Sequence, residues 1–118
     1  MRIYRNLKIW EQGIDIVKQV YVLVEQLPST EKFGLKSQIT RAAVSIPSNI
    51  AEGCSRNSEI EFKRFLEIAM GSLFEVHTQL IIIQELNFIK PEDLKSIFEV
   101  LETEGKMING LINKIKNS

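Results

Sequence analysis

The chain has 118 residues, the size of a single domain that can bury one hydrophobic core without disulfides or metal. Its 15 Lys and Arg residues balance its 15 Asp and Glu residues, so the net charge is zero. The net charge therefore does not indicate a nucleic acid or an anionic membrane as a partner. The single cysteine, Cys54, excludes an internal disulfide. Because the chain shows no signal-peptide pattern and no long uninterrupted apolar run, we expect one soluble, cytoplasmic domain over residues 1–118, without a membrane partner.

The first segment has apolar residues at helical spacing. Asn6 is a favoured N-cap residue, and the spacing after it predicts an amphipathic helix that ends before Pro28. Two apolar series share the helix, which indicates contact with two or more neighbours. Gly13 weakens the helix by roughly 1 kcal/mol relative to alanine, and we expect close approach of another helix to compensate. The first series is Leu7, Trp10, Ile14, Val17, Tyr21 and Val24, and the second is Ile16, Val20, Leu23 and Leu27.

A second helix is predicted after a short polar connector. It should run from about Gly34 to Gly53 or Cys54, with Gly53 placed to end it in a left-handed turn. Pro47 lies inside this span, where it removes one backbone donor and pushes against the carbonyl of Ala43. The apolar residues keep their phase across the proline, so we expect one proline-kinked helix rather than two shorter ones. They are Leu35, Ile39, Ala42, Ile46 and Ile50.

A polar stripe runs along the same helix beside the apolar one. It is rich in amides and hydroxyls, whereas a solvated face would carry long charged side chains, so we expect a partly enclosed hydrogen-bonding strip between helices. Arg41 and Glu75 of the third helix form a candidate structural ion pair, and the alternative is a site for a ligand or an RNA phosphate. The polar strip is defined as Gln38, Arg41, Ser45, Asn49, Glu52 and Glu75.

The third helix begins with a capping box, Ser58 and Glu61, and should continue to about Leu86. At that length it approaches about 40 Å. It is apolar around more of its circumference than one bundle core requires, which indicates a subunit interface. The core stripe is Phe62, Leu66, Ala69, Leu73, Val76, Leu80 and Ile83, and the additional apolar residues are Phe65, Ile68, Phe74, Ile81 and Ile82.

Pro91, followed by Glu92 and Asp93, marks the start of a fourth helix. Its apolar residues keep helical spacing, with Gly105 in phase. No segment alternates as a strand would, so the sequence predicts an all-α, antiparallel up-and-down four-helix bundle of long helices. The apolar residues of this helix are Leu94, Phe98, Leu101, Ile108, Ile112 and Ile115.

The residue types argue against an enzyme. Ser45 would need a base to take its proton, and nothing in the sequence places the single histidine, His77, beside it. A ferritin-like diiron site requires two Glu-x-x-His pairs, whereas Glu75 and His77 are only two residues apart and no second histidine exists. Cys54 is solitary and no glycine-rich loop follows a strand. We therefore expect no catalytic residues, no metal and no cofactor.

Basic residues cluster modestly near two helix starts. Ring assembly would repeat such a cluster around the symmetry axis and raise the local potential although the net charge is zero. Tyr4 and Trp10 could stack on bases, although aromatic residues at helical spacing more often belong to a core. RNA binding is therefore kept as an alternative function. The basic patch is defined as Arg2, Arg5, Lys8, Lys63 and Arg64.

A distinctive central motif runs from Ser45 to Gly53 and reads Ser-Ile-Pro-Ser-Asn-Ile-Ala-Glu-Gly, preceded by Arg41-Ala42-Ala43. With Leu7 to Trp10 before it, and with Phe62, Phe65, Leu66, Ala69, Gly71, Ser72 and Glu75 after it, it covers nearly the whole chain. This pattern resembles a bacterial four-helix bundle family encoded in intervening sequences of 23S rRNA genes, also labelled 23S-type ribosomal proteins.

The biochemical role of that family is unsettled. Because the residues indicate no catalytic site, we expect a non-enzymatic binding or scaffold protein. The accessory protein of diversity-generating retroelements is similar in fold, forms a homopentamer and binds nucleic acid and reverse transcriptase. The resemblance therefore implies a homo-oligomer, with five copies as the expected number. The alternative that it implies is an accessory factor that binds ribosomal RNA, other nucleic acid or a reverse transcriptase.

Overall fold

Four long helices make up the described part of the chain, residues 2–118 of a computed structural model. They are α1 (Lys8–Leu23), α2 (Leu35–Cys54), α3 (Glu59–Glu85) and α4 (Pro91–Lys116). Each helix packs against the next along the chain, and α1 also packs against α4. The all-α, up-and-down four-helix bundle is therefore confirmed, with extents of 45 × 23 × 20 Å. Short 3₁₀ turns lie at Tyr4–Asn6, Val24–Gln26 and Ser29–Glu31.

The start of α1 differs from the prediction. Asn6 closes a 3₁₀ turn and does not cap the helix, because the N-cap position belongs to Leu7, whose carbonyl accepts the first helical hydrogen bonds. The core-facing residues of α1 come from the second apolar series, with Ile16 and Val20 fully buried. Tyr21 of the first series is about half exposed, at 51 %. Most of the first series therefore lies at the margin of the core, whereas its last member, Val24, is buried.

The helices α1 and α2 approach closely where Gly13 faces Pro47. A Cβ atom at Gly13 would lie 3.2 Å from the Cβ of Pro47. Pro47 is buried, and α2 continues through it without a break. This confirms both the compensation predicted for Gly13 and the single helix predicted across the proline.

The prediction for Gly53 is wrong. Gly53 does not adopt a left-handed conformation; it lies inside α2, which ends one residue later at Cys54. A Cβ atom at this position would lie 2.8 Å from the Cβ of Phe65 and 3.1 Å from Cδ1 of Phe62. Glycine is therefore required here by the close approach of α3, and not by a turn.

The ends of α3 have defined caps. The Ser58 Oγ accepts a hydrogen bond from the Glu61 N–H at 3.1 Å, as the capping box predicts. At the other end Asn87 has a φ of 60° and its N–H donates to the Gln84 carbonyl, while the Phe88 N–H donates to the Ile83 carbonyl. This pair of bonds is a Schellman motif, and asparagine supplies the left-handed residue.

The predicted core stripes of α2 and α3 are confirmed. Ile39, Ile46 and Ile50 are fully buried, and so are most members of the α3 stripe. By length and composition α3 could also cross a membrane. Its core stripe is packed inside the bundle, however, and a second group of apolar residues is exposed on the opposite side, which explains why the helix as a whole is so apolar.

In α4 the core contains two residues that the predicted stripe omitted. Ile97 and Glu104 are both fully buried, whereas Phe98, which was placed in the stripe, is only half buried. The true core face is therefore rotated slightly from the predicted one. A glutamate at a core position is the larger departure from the predicted pattern.

Candidate binding groove between α2 and α3

A polar groove of about 360 Å³ lies between α2 and α3. Four residues of the predicted strip line it, namely Gln38, Arg41, Ser45 and Glu75, and it is completed by Ala42 and Ser72. The antiparallel packing of two neighbouring helices brings these side chains together although they come from distant parts of the sequence. We call this feature the polar groove.

A hydrogen-bonded cluster forms one end of the polar groove. The Ser45 and Ser72 hydroxyls are 2.8 Å apart, and one donates to the other. The Asn49 side-chain amide donates to both the Oγ and the carbonyl oxygen of Ser45, each at 2.8 Å. Ser45 therefore takes part in three hydrogen bonds with two polar neighbours, neither of which is a base. Sequence reasoning had placed Ser72 only within the family pattern and not at the site.

Gln79 supports the other end of the polar groove. It is only 6 % exposed, and its Nε2 lies 3.4 Å from the Gln38 Oε1 and 3.3 Å from the Glu75 Oε2. Its own Oε1 is buried and has no hydrogen-bond partner. The sequence analysis missed this residue, although one signal was present: a glutamine that lies one turn after Glu75 and is followed by four consecutive apolar residues.

The predicted ion pair between Arg41 and Glu75 does not form. Among residues 2–118, neither side chain takes part in a salt bridge within 4.0 Å. Both residues are exposed, so water screens their attraction, and holding two long side chains together there would bring little free energy. Glu75 instead accepts the hydrogen bond from Gln79. The groove therefore presents a guanidinium and a carboxylate to solvent.

Glu52, the last member of the predicted strip, lies outside the polar groove. Its carboxylate forms an i,i+4 ion pair with Arg56 at 3.2 Å. It borders a separate depression of about 470 Å³ between α1 and α2, where Tyr4 and Trp10 also lie. The polar strip therefore divides between two surfaces of α2.

The basic patch is partly neutralised by acidic neighbours. The Arg2 guanidinium lies 2.7 Å from the Glu59 carboxylate, and this hydrogen bond lowers the pKa of Glu59. Lys63 pairs with Glu67 at 3.7 Å. Arg5 lies over the Trp10 ring, with 5.7 Å between its guanidinium carbon and the ring centroid. The remaining two members, Lys8 and Arg64, are exposed.

The single histidine lies on another side of the bundle. His77 packs edge-on against Phe98 between α3 and α4, with ring centroids 5.2 Å apart. Over residues 2–118, no three His, Cys, Asp or Glu side chains are grouped closely enough to hold a metal ion. The polar groove itself presents hydrogen-bonding groups and opposite charges.

An apolar surface covers the outward side of α3. Phe74 is 63 % exposed, and the other members are also exposed. At about 100° of rotation per residue they fall on one side of the helix, opposite the core stripe. An open apolar groove of about 870 Å³ between α3 and α4 borders this surface. We define the outer face of α3 as Ile60, Ile68, Phe74, Ile81, Ile82 and Leu86.

Comparisons with known proteins agree with the fold. Residues 5–110 match the family model described as 23S rRNA-intervening sequence protein. A crystal structure of a protein with unknown function from the S23 ribosomal protein family of Bacteroides thetaiotaomicron superimposes with a TM-score of 0.81 and 23 % sequence identity. The match covers 88 % of this chain and 97 % of that chain. No curated protein matches the sequence.

Proposed function

The chain belongs to the 23S rRNA-intervening sequence protein family, and we propose that it is a non-catalytic, self-associating bundle that acts as a binding or scaffold module. The observation that carries this proposal is the outer face of α3, which leaves six large apolar side chains exposed on a single copy. Contiguous exposed apolar surface of this kind marks interaction sites in soluble proteins.

The position of this surface favours association between identical copies. A ridge of apolar side chains on α3 lies next to an apolar groove between α3 and α4. The ridge and the groove share only Phe74, so a ridge that enters the groove of the next copy makes a head-to-tail contact. Such contacts close into a ring when the rotation between copies divides a full turn, and otherwise form an open filament. Five copies are the number implied by the family resemblance.

Light scattering after gel filtration tests the proposal directly. The wild-type protein should elute as an oligomer at micromolar concentration, whereas Phe74→Glu and Ile81→Glu should each give folded monomers of 13.6 kDa. Val22→Glu is the matched control, because Val22 is 72 % exposed but lies on α1, away from the outer face. A monomeric wild-type protein would refute self-association.

The polar groove is the proposed contact site for a polar ligand or a segment of a partner. Arg41 is exposed and belongs to no ion pair among residues 2–118, so Arg41→Ala should change the free energy of unfolding by less than about 0.5 kcal/mol. Weaker binding of a captured partner together with unchanged stability would support a contact role. Unfolding of Arg41→Ala would contradict it.

RNA binding is a second candidate, favoured by one local arrangement. Tyr4 and Trp10 lie with ring centroids 5.1 Å apart, Arg5 lies over Trp10, and Lys8 is exposed nearby on α1. Aromatic rings next to basic side chains can stack on unpaired bases. Gel shifts with structured RNA at increasing salt test this function, and Arg5→Ala should weaken retention. Absence of retention at low salt would count against it.

A further inference from the structure

A glutamate occupies the core of the bundle. Glu104 of α4 is 0 % exposed and lies between Leu101 and Ile108, which are also fully buried. Neither its Oε1 nor its Oε2 has a hydrogen-bond partner. An ionised carboxylate is very unfavourable in such a place, so the group is expected to take up a proton instead.

A second unpartnered oxygen lies at the same level of the bundle. The Oε1 of Gln12, on α1, is buried and has no hydrogen-bond partner. The Ser96 hydroxyl donates to the Gln19 Oε1 at 3.2 Å, which fixes the register between α4 and α1. Gln12 precedes Gln19 by one heptad on the same side of α1. In an antiparallel pair this register places Gln12 about one heptad beyond Ser96 along α4, at the level of Glu104.

Both unpartnered groups are acceptors when Glu104 is ionised. A carboxylate and an amide carbonyl repel each other, whereas a carboxylic acid O–H can donate to the carbonyl. We propose that Glu104 is held as a neutral carboxylic acid and donates a hydrogen bond to the Gln12 Oε1, which joins α1 to α4 until alkali removes the proton.

The surroundings of Glu104 contain no charge that would favour its ionised form. Charged side chains on the four helices near this level are exposed, and burial alone raises the pKa of Glu104 from its ordinary 4.5 to about 8. The folded protein therefore binds this proton more tightly than the unfolded chain does. The stabilisation is complete below pH 4.5 and is lost as the pH rises to about 8. These exposed side chains are Glu11, Glu52, Glu67, Glu102 and Lys106.

Carboxyl ¹³C NMR of the wild-type protein tests the protonation state without any change to the core. The Glu104 resonance, assigned by its absence in Glu104→Gln, should titrate with a midpoint near 8. The carboxyl resonances of the other glutamates serve as internal references. Titration of Glu104 near 4.5 would overturn the proposal.

A double-mutant cycle tests the partner. At about pH 6, Gln12→Met and Glu104→Met should be coupled by about threefold to tenfold in the unfolding equilibrium constant, and the coupling should disappear at about pH 10. Glu102→Met, at an exposed position on the same helix, should show no coupling to Gln12→Met. Additive effects of the two core substitutions at the lower pH would overturn the assignment of Gln12 as the acceptor.

Discussion

The contact between Gly53 and the first turns of α3 gives a prediction whose size follows from the structure. In Gly53→Ala the new Cβ would lie 2.8 Å from the Cβ of Phe65, a distance that side-chain carbons do not adopt. A Cβ atom is attached to the backbone, so α3 itself must shift. Overpacking of this kind costs about 1 to 3 kcal/mol.

Helix propensity opposes this cost. Alanine is favoured over glycine inside a helix by about 1 kcal/mol, so Gly53→Ala should lower the free energy of unfolding by up to about 2 kcal/mol. Gly110→Ala is the matched control, because a Cβ at Gly110, inside α4, meets nothing within 4 Å. It should raise the stability by about 1 kcal/mol.

Urea unfolding followed by circular dichroism measures both values, with protein concentration held constant because association shifts apparent stability. The two alanine substitutions should move the midpoint in opposite directions. If Gly53→Ala raised the free energy of unfolding as much as Gly110→Ala, the close packing of α2 on α3 at Gly53 would be refuted.

Three further outcomes follow from local contacts. Ser58→Ala removes the N-cap of α3 and should cost about 1 kcal/mol in urea unfolding, whereas Ser29→Ala, at an exposed position in a turn, should cost less. Cys54 is buried, and burial raises the pKa of its thiol. A thiol reagent should therefore react slowly with Cys54 in the folded protein and rapidly in urea, and equal reaction rates in the two conditions would contradict this packing. Arg2 lowers the pKa of Glu59, so the stability that this pair contributes should be present above pH 4.5 and should fall as the carboxylate is protonated. In Arg2→Met, this contribution to the loss of stability in acid should vanish.

The bundle could be predicted because its helices are long and strongly periodic. Pro91 and Ser58 mark their helix starts through local chemistry that acts within one turn. The N-cap predicted at Asn6 was wrong because an asparagine can cap a helix only if the helix begins directly after it. Here Asn6 belongs to a 3₁₀ turn, and the helix begins after Leu7. Such entry angles depend on tertiary packing, which a local pattern does not record.

The site was predicted less completely for a related reason. Ser45 and Glu75 were found from spacing on their own helices, but Ser72 and Gln79 reach the polar groove only through the register between α2 and α3. Gly53 was assigned to a turn because a glycine can be required either for a left-handed backbone conformation or for close packing of a neighbouring element. Only the position of the neighbouring helix distinguishes the two roles. The burial of Glu104 was not predicted, because a glutamate beside an apolar stripe is ordinarily taken to be exposed.

The short link between α2 and α3 has a consequence for the order of folding. Only residues 55–58 separate two long helices that already contact each other at Gly53 and Phe65. Closing such a small loop loses little chain entropy, so this hairpin is expected to form before the distant ends of the chain, α1 and α4, meet. Backbone amides of α2 and α3 should accordingly exchange with deuterium more slowly than those of α1.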